Sequence, residues 1–242
     1  MQIKDLTIVL LAGDPRCLHT IPPAHAESYL TRAVRAAMTL GCPIVLVHHP
    51  DVNLLKGSSM ITRVPAGNKI FQSVEAGLTA CRTEWALVLA TDLPYLDSAM
   101  LTDFCVRGLE SGADVCVALA NLEACQLLDP QVVHPILLDG KRYKFGSSFL
   151  VRVSKREEIL GIYRPLAELK KQPVRLVMEA ARRFLSFGLI WQAIRYGIGF
   201  LWLPFSPRHR KVEAVLKKKL DVDIRIILSQ PELVLDHDLI HS

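Results

Sequence analysis

Residues 85–94 read WALVLATDLP. The apolar run Trp85–Ala90 is continuous, as expected for a strand that is buried on both faces of a parallel sheet. The carboxyl ends of such strands form the ligand crevice of open α/β sheets, so the carboxylate of Asp92 would lie where it can hold a divalent metal against phosphate oxygens. An aspartate before Leu-Pro is also a common turn former or helix cap, and this stretch alone does not choose between the two roles.

Outward from this strand, the first half of the chain alternates between strand and helix patterns. Short apolar runs predict strands at 7–12, 43–48 and 114–120. Apolar residues at helical spacing predict helices at 26–40, 71–80 and 98–109, the last with Ser98 as its N-cap. This alternation is typical of βαβ units, and it predicts a three-layer, Rossmann-like α/β fold with a mostly parallel sheet.

The second half of the chain has a different pattern. Two strand-like stretches flank a turn at Asp139-Gly140, which predicts a β-hairpin excursion over 136–153. The pattern from 160 to 220 is largely helical and is punctuated by prolines, and a last strand is predicted at 223–228. No low-complexity linker divides the chain, so we expect residues 1–242 to form a single domain with a C-terminal helical insertion.

The composition excludes several classes of protein. The formal net charge is +5 and the basic residues are mostly scattered, so no nucleic-acid partner is expected. The six cysteines form no CxxC pair, which favours reduced core thiols in a cytoplasmic protein. The apolar run near the N-terminus is too short for a signal peptide, so we expect no export.

Four motifs, in this order, resemble one family. They are the strand followed by LAG at 11–13, the segment GNKIFQSVEAGL at 67–78, the strand followed by ATDLP at 90–94, and DHD at 236–238. Together they resemble the MobA-like nucleotidyltransferases, which move a nucleoside monophosphate from an NTP to an acceptor. The later segments DGKRYKFGSSFLV, LKKQP and PELVLDHD resemble an uncharacterised bacterial branch of that superfamily, so the resemblance covers nearly the whole chain.

The resemblance implies a nucleotide site with a known arrangement. Gly13 lies where the family's nucleotide loop begins, and Gly67 with Asn68 matches a segment near the base. Arg16 is the cation of the first loop that is expected to reach the phosphates.

The resemblance also implies Mg²⁺ as the cofactor and a small-molecule acceptor. Asp92 matches the metal-binding aspartate, and Asp236 and Asp238 match a closing acidic pair that would supply a second metal ligand. These carboxylates, with Mg²⁺, would offset charge on the transferred phosphoryl group as pyrophosphate leaves. The residues expected to contact a phosphorylated or hydroxylated acceptor are Gly146, Ser147 and Lys171.

Two segments depart from the family pattern. The nucleotide loop usually contains a second glycine and, further on, a lysine; here Asp14 follows Gly13, Pro15 lacks an N–H donor, and no lysine occurs between Lys4 and Lys56. The hairpin has Ser147-Ser148 where Gly-Asn is usual. Two interpretations therefore remain: a working nucleotidyltransferase, and a catalytically weakened relative that acts as a binding or scaffold protein.

The segment 184–205 is apolar and has basic residues on both sides. Polar residues near its middle and several glycines argue against a membrane-spanning helix. One interpretation is an amphipathic helical pair that packs on the sheet or at a homodimer interface. The other is peripheral contact with an anionic membrane surface.

Overall fold

One eight-stranded sheet organises the part of the chain that the computed structural model describes, namely residues 3, 5–20, 27–50, 59–132, 136–169 and 208–235. The sheet order is β3-β2-β1-β4-β7-β5-β8, and the short β6 pairs with β7 outside this order. The strands are β1 (Leu6–Ala12), β2 (Ile44–His48), β3 (Ile61–Pro65), β4 (Trp85–Ala90), β5 (Val115–Asn121), β6 (Ile136–Leu138), β7 (Lys141–Arg152) and β8 (Ile224–Leu228).

Most neighbouring strands are parallel, and β7 is the exception within the main order. It lies between β4 and β5 and is antiparallel to both. The hairpin that leads into it turns at Asp139 and Gly140, whose φ angles are 50° and 75°. Two successive residues with positive φ are typical of the tight turns that join hairpin strands. The predicted hairpin excursion is therefore confirmed.

In the described part of the chain, six helices cover the two faces of the sheet. They are α1 (Tyr29–Thr39), α2 (Ile70–Ala80), α3 (Ser98–Glu110), α4 (Leu122–Leu128), α5 (Arg156–Leu169) and α6 (His209–Leu220). Buried residues of α1 and α3 join one apolar core, whereas those of α2 and α5 join another on the opposite face. A sheet between two helical layers confirms the predicted three-layer α/β fold.

Close packing positions α2 against the centre of the sheet. A Cβ atom at Gly77 would lie 2.4 Å from Val9 Cγ1 and 3.0 Å from Val47 Cγ2. Only glycine allows the helix this close to β1 and β2, because any larger residue would force these side chains apart. The first turn of α2 is thereby held near the carboxyl ends of these strands.

Several details differ from the predictions. Ser98 is not the N-cap of α3: the carboxylate of Asp97 accepts the backbone N–H groups of Ala99 and Met100 at 2.8 and 3.0 Å, and Ser98 is the first helical residue. Asp97 is the N-cap because it directly precedes the helix, where an extended backbone lets its carboxylate accept N–H groups of the first turn. Strand β3 and helix α4 were not predicted. All six cysteines are buried and unpaired, as expected of core thiols.

Some predictions fall on residues outside the described part of the chain. These are Lys171, the apolar segment 184–205, Asp236 and Asp238. Helix α6 lies within the predicted helical region 160–220, whereas α5 begins four residues before it, and the chain at 170–207 is outside the described residues. Within the described residues, no helix combines the length and apolar character needed to cross a bilayer. The single-domain prediction for 1–242 stays a prediction.

Candidate active site

A cleft of about 620 Å³ opens at the carboxyl ends of β1 and β4. Three separate stretches of sequence line it: the loop after β1, the start of α2, and the end of β4 with the residues after it. Parallel strands end at the same edge of the sheet, so the loops that follow them meet there. The described lining residues are Leu11, Gly13, Asp14, Arg16, Cys17, Gly67, Asn68, Lys69, Ile70, Ser73, Ala90, Thr91 and Asp92.

Asp92 lies in the cleft on a well-anchored stretch. The hydroxyl of the preceding Thr91, itself buried, donates to the carbonyl of Leu11 at 3.0 Å and so ties the ends of β4 and β1 together. On the other side, Leu93 is 1% exposed and packs in the core. Helix α3 is capped by Asp97, so capping that helix is not the role of Asp92.

Two buried groups beside Asp92 respond to its charge. Burial, together with the nearby charges of Asp14 and Asp92, raises the pKa of the Cys17 thiol to about 11. Burial and the Asp92 carboxylate likewise raise the pKa of the Tyr29 hydroxyl to about 12. Both side chains therefore stay protonated at neutral pH. The carboxylate of Asp92 thus lies in a partly desolvated position, where charges interact more strongly than they do in water.

In the first loop, Asp14 is bound to Arg16. The Asp14 carboxylate accepts the backbone N–H of Arg16 at 2.9 Å and caps the 3₁₀ turn Pro15–Leu18. The guanidinium of Arg16 donates to the same carboxylate, with Nε 3.1 Å from both oxygens and Nη2 2.5 Å from Oδ2. Hydrogen bonding from Arg16 holds the pKa of Asp14 below its usual value. Arg16 lines the cleft, where an ion pair within the loop offsets its charge, and its contact with phosphates stays a prediction.

The second wall of the cleft is the first turn of α2. The backbone N–H of Gly67 donates to Ser73 Oγ at 3.1 Å, and that of Lys69 donates to Gln72 Oε1 at 3.0 Å. A Cβ atom at Gly67 would lie 2.3 Å from Gln72 Cβ, so this glycine is required by the capping of α2. Gly67 and Asn68 line the same cleft as Asp92, and their contact with a nucleotide stays a prediction.

Lys69 is a cleft residue that the sequence argument missed. It is exposed, lines the wall opposite Asp14 and Arg16, and its Nζ lies 5.7 Å from the centre of the Phe71 ring. The signal was present in the sequence, because Lys69 directly follows Asn68 in the quoted GNK triplet. The family pattern places its phosphate-binding lysine in the loop after β1, whereas Lys69 directly precedes α2.

The predicted acceptor residues of the hairpin, Gly146 and Ser147, are not among the described residues that line the cleft. Gly146 is buried, and a Cβ atom there would lie 3.2 Å from both the Ala118 carbonyl oxygen and Val234 Cγ2. The hydroxyl of Ser148 donates to the carbonyl of Leu233 at 3.2 Å. These contacts fasten the segment 231–235 across β7. Contact of Gly146 and Ser147 with an acceptor stays a prediction.

Solved structures with the same fold include several transferases. A hypothetical transferase from Thermus thermophilus is 18% identical with a TM-score of 0.74, over 100% of this chain and 99% of that one. The 2-C-methyl-D-erythritol 4-phosphate cytidylyltransferase from Thermus thermophilus is 11% identical with a TM-score of 0.53, over 98% of this chain and 94% of that one. Its counterpart from Francisella tularensis is 9% identical with a TM-score of 0.54, over 98% and 96% of the respective chains.

At these identities the likeness establishes the fold alone. A sequence search of curated proteins gave no significant match. A family model described as the MobA-like NTP transferase domain does match, over residues 13–182, and this range contains every described residue of the cleft except Leu11. Because the match covers well over half of the chain, the protein belongs to the MobA-like NTP transferase family, and its function is of the nucleotidyltransferase type.

Proposed function

We propose that this protein is a Mg²⁺-dependent nucleotidyltransferase that moves a nucleoside monophosphate from an NTP to a small phosphorylated or hydroxylated acceptor and releases pyrophosphate. The observation that supports this most strongly is the convergence in one cleft of the loop after β1, the first turn of α2 and Asp92. The first loop would face the phosphates, and Gly67 with Asn68 would lie towards the base. In the reaction, an acceptor oxygen attacks the α-phosphorus, and the bond from that phosphorus to the α–β bridging oxygen breaks.

The donor groups of the cleft fit a magnesium ion. Mg²⁺ is usually held by one or two carboxylates together with phosphate oxygens and water. Asp92 supplies one carboxylate in a partly buried position, and the second cleft carboxylate, Asp14, is bound to Arg16. Among the described residues no group of three His, Cys, Asp or Glu side chains gathers to form a protein-only metal cage. That arrangement suits an ion whose remaining ligands come from the nucleotide and water.

The chain's own residues would position both substrates. Lys69 and the N–H groups at the start of α2 would attract the nucleotide, since a helix N-terminus and a cation both favour negative charge. Bound Mg²⁺ would offset charge on the transferred phosphoryl group and the leaving pyrophosphate. Asp236 and Asp238 would supply a further carboxylate to the metal. Gly146, Ser147 and Lys171 would contact the acceptor.

The geometry of the first loop favours a second candidate, a catalytically weakened relative that binds a ligand or a partner. Pro15 has no N–H to offer a phosphate, and Asp14 engages the cation of the loop. A protein of this kind would bind nucleotide weakly and would not turn it over. Peripheral membrane contact through 184–205 would belong to this candidate, and that segment lies outside the described residues.

Thermal unfolding with CTP, GTP, ATP and UTP, each with and without Mg²⁺, tests the proposal. Ligand binding to the folded state raises its stability, by about 2.7 kcal/mol when the ligand is at a hundred times its Kd. We expect one NTP to raise the Tm only when Mg²⁺ is present. Asp92→Asn should remove that shift, and Asp97→Asn, a charge removal at a helix cap outside the cleft, should keep it. A full shift in Asp92→Asn would refute the metal-site assignment.

Turnover separates the two candidates. A working transferase should release pyrophosphate from the NTP that it binds when phosphorylated or hydroxylated small molecules are supplied. Binding without pyrophosphate release over a broad acceptor set, or no Tm shift with any NTP at millimolar concentration, would favour the weakened relative.

A further inference from the structure

The ion pair between Asp14 and Arg16 lies in the first loop, where the resemblance to this family implies that phosphates bind. The Asp14 carboxylate faces the Nε and Nη2 edge of the guanidinium and receives three contacts of 2.5 to 3.1 Å from it. A guanidinium binds carboxylates and phosphates through the same planar edge. A phosphate group that uses this edge of Arg16 must therefore displace the Asp14 carboxylate.

The charges of the described cleft residues add to this competition. Asp14, Arg16, Lys69 and Asp92 line the cleft, so two acidic and two basic side chains cancel among the described residues. A free NTP carries several negative charges, and a lining whose described charges cancel does little to attract it. A nucleotide that arrives with Mg²⁺ carries less net negative charge and brings the partner that Asp92 requires.

We propose that Asp14 is a specificity-determining residue that restricts the cleft to metal-bound nucleotide, with Arg16 passing from Asp14 to a phosphate as the complex forms. This inference rests on the proposed function and adds to it the selection between free and metal-bound NTP. It assigns a purpose to the aspartate that stands where the family has a glycine.

A purely structural role for Asp14 predicts something different. Asp14 caps the 3₁₀ turn by accepting the backbone N–H of Arg16. Asparagine caps as well as aspartate does, because its side-chain oxygen accepts the same hydrogen bond. Asp14→Asn therefore keeps the cap and removes the charge, so a residue that acts only as a cap would leave nucleotide binding unchanged.

Calorimetric titration of four proteins tests the inference. The proteins are the wild type, Asp14→Asn, the double variant Asp14→Asn with Arg16→Gln, and Asp103→Asn. Asp103→Asn is the control, because it breaks a comparable exposed ion pair, Asp103 with Arg107 at 3.0 Å, whose residues do not line the cleft. Each protein is titrated with the four NTPs and with inorganic tripolyphosphate, which lacks a base, both in Mg²⁺ and in excess EDTA.

We expect Asp14→Asn to bind tripolyphosphate and NTP more tightly than the wild type in EDTA, by up to about fivefold because an exposed ion pair contributes no more than about 1 kcal/mol, with a smaller gain in Mg²⁺. The double variant should lose this gain, and Asp103→Asn should match the wild type. If Asp14→Asn does not fold, Asp14→Ser serves in its place, since serine also caps and carries no charge.

The outcomes separate the inference from the proposed function. Equal or weaker binding by Asp14→Asn, with Mg²⁺-dependent NTP binding by the wild type, overturns the inference and leaves the proposed function standing. Binding by Asp14→Asn but not by the wild type, even in Mg²⁺, supports Asp14 as the competing group and counts against the proposed function of the natural chain. No binding by any of the four proteins overturns both.

Discussion

Replacing Gly13 with alanine tests whether this glycine is needed for ligand binding or for the stability of the fold. A Cβ atom at Gly13 would lie 3.5 Å from Ala66 Cβ and 3.9 Å from Ser73 Oγ, which are ordinary van der Waals distances. Gly13 is also absent from the glycines with positive φ, so an alanine meets no backbone strain. The folded chain should accept Gly13→Ala, with a gain of about 0.4 to 1 kcal/mol because the unfolded chain loses freedom.

Nucleotide binding should respond in the opposite direction. The new methyl group would lie in contact with Ala66 and near Ser73, which also lines the cleft, and would narrow the space beside the loop backbone. Phosphates approach such loops through backbone N–H groups, and a methyl group on that path keeps them at a distance. We expect Gly13→Ala to bind NTP at least tenfold more weakly, which corresponds to about 1.4 kcal/mol.

Gly67→Ala is the matched comparison, because both glycines line the same cleft. Its Cβ atom would lie 2.3 Å from Gln72 Cβ, so we expect a loss of about 1 to 3 kcal/mol in unfolding free energy from overpacking. Urea unfolding measures the stability of both variants, and calorimetry with Mg²⁺ and the NTP that binds gives their affinities. Unchanged affinity in Gly13→Ala, or a loss of stability as large as that in Gly67→Ala, would refute the assignment of Gly13 to the ligand.

Three further predictions concern packing and titration. Gly77→Ala would bring a Cβ atom within 2.4 Å of Val9 Cγ1, so urea unfolding should show a loss of about 1 to 3 kcal/mol, reduced by the better helix propensity of alanine. Cys17 is buried and its pKa is raised to about 11, so iodoacetamide at pH 8 should label it far more slowly in the folded protein than in urea; equal rates would contradict its placement. Hydrogen bonding from His209 lowers the pKa of Asp139, so this pair stabilises the fold above the ordinary carboxyl pKa and stops doing so as the pH falls through the lowered value. Asp139→Asn should therefore reduce the Tm near neutral pH, with a difference that shrinks in acid; a constant difference would show that the charge is not involved.

The central strands could be predicted from sequence because burial on both faces leaves a direct signature. The apolar run Trp85–Ala90 coincides with β4 residue for residue, and the first apolar run lies within β1. Strand β3 carries no such signature, because it lies at the sheet edge and most of its residues are exposed or half-buried. Its pairing depends on β2, a contact that no local pattern encodes. The short α4 was also missed, because its 7 residues are too few to show a clear helical spacing of apolar side chains.

The meeting of the segments after β1 and β4 was also predictable, because each lies at or beyond the carboxyl end of a predicted strand. The segment with Gly67 and Asn68 follows β3, which was not predicted, so only the family resemblance indicated its place in the site. What could not be predicted was which charges meet. The pairing of Asp14 with Arg16 depends on the 3₁₀ turn Pro15–Leu18. Asp14 caps this turn and Arg16 lies within it, so the two side chains meet although they are two residues apart in sequence. The position of Lys69 depends on where α2 begins, and helix ends are the least certain part of a sequence-based assignment.

The loss of the family's loop lysine does not by itself make the site inactive. Lys69 supplies a cation from the opposite wall, and Arg16 lies within the loop, so the cleft keeps two basic side chains beside Asp92. The difference between a working enzyme and a weakened relative then depends on whether Arg16 can leave Asp14 when a nucleotide arrives. This ion pair is exposed, with 48% of the Arg16 side chain and 38% of the Asp14 side chain open to solvent, and exposed pairs typically contribute no more than about 1 kcal/mol. A metal-bound triphosphate can compete with an interaction of that size, so the altered loop is compatible with catalysis.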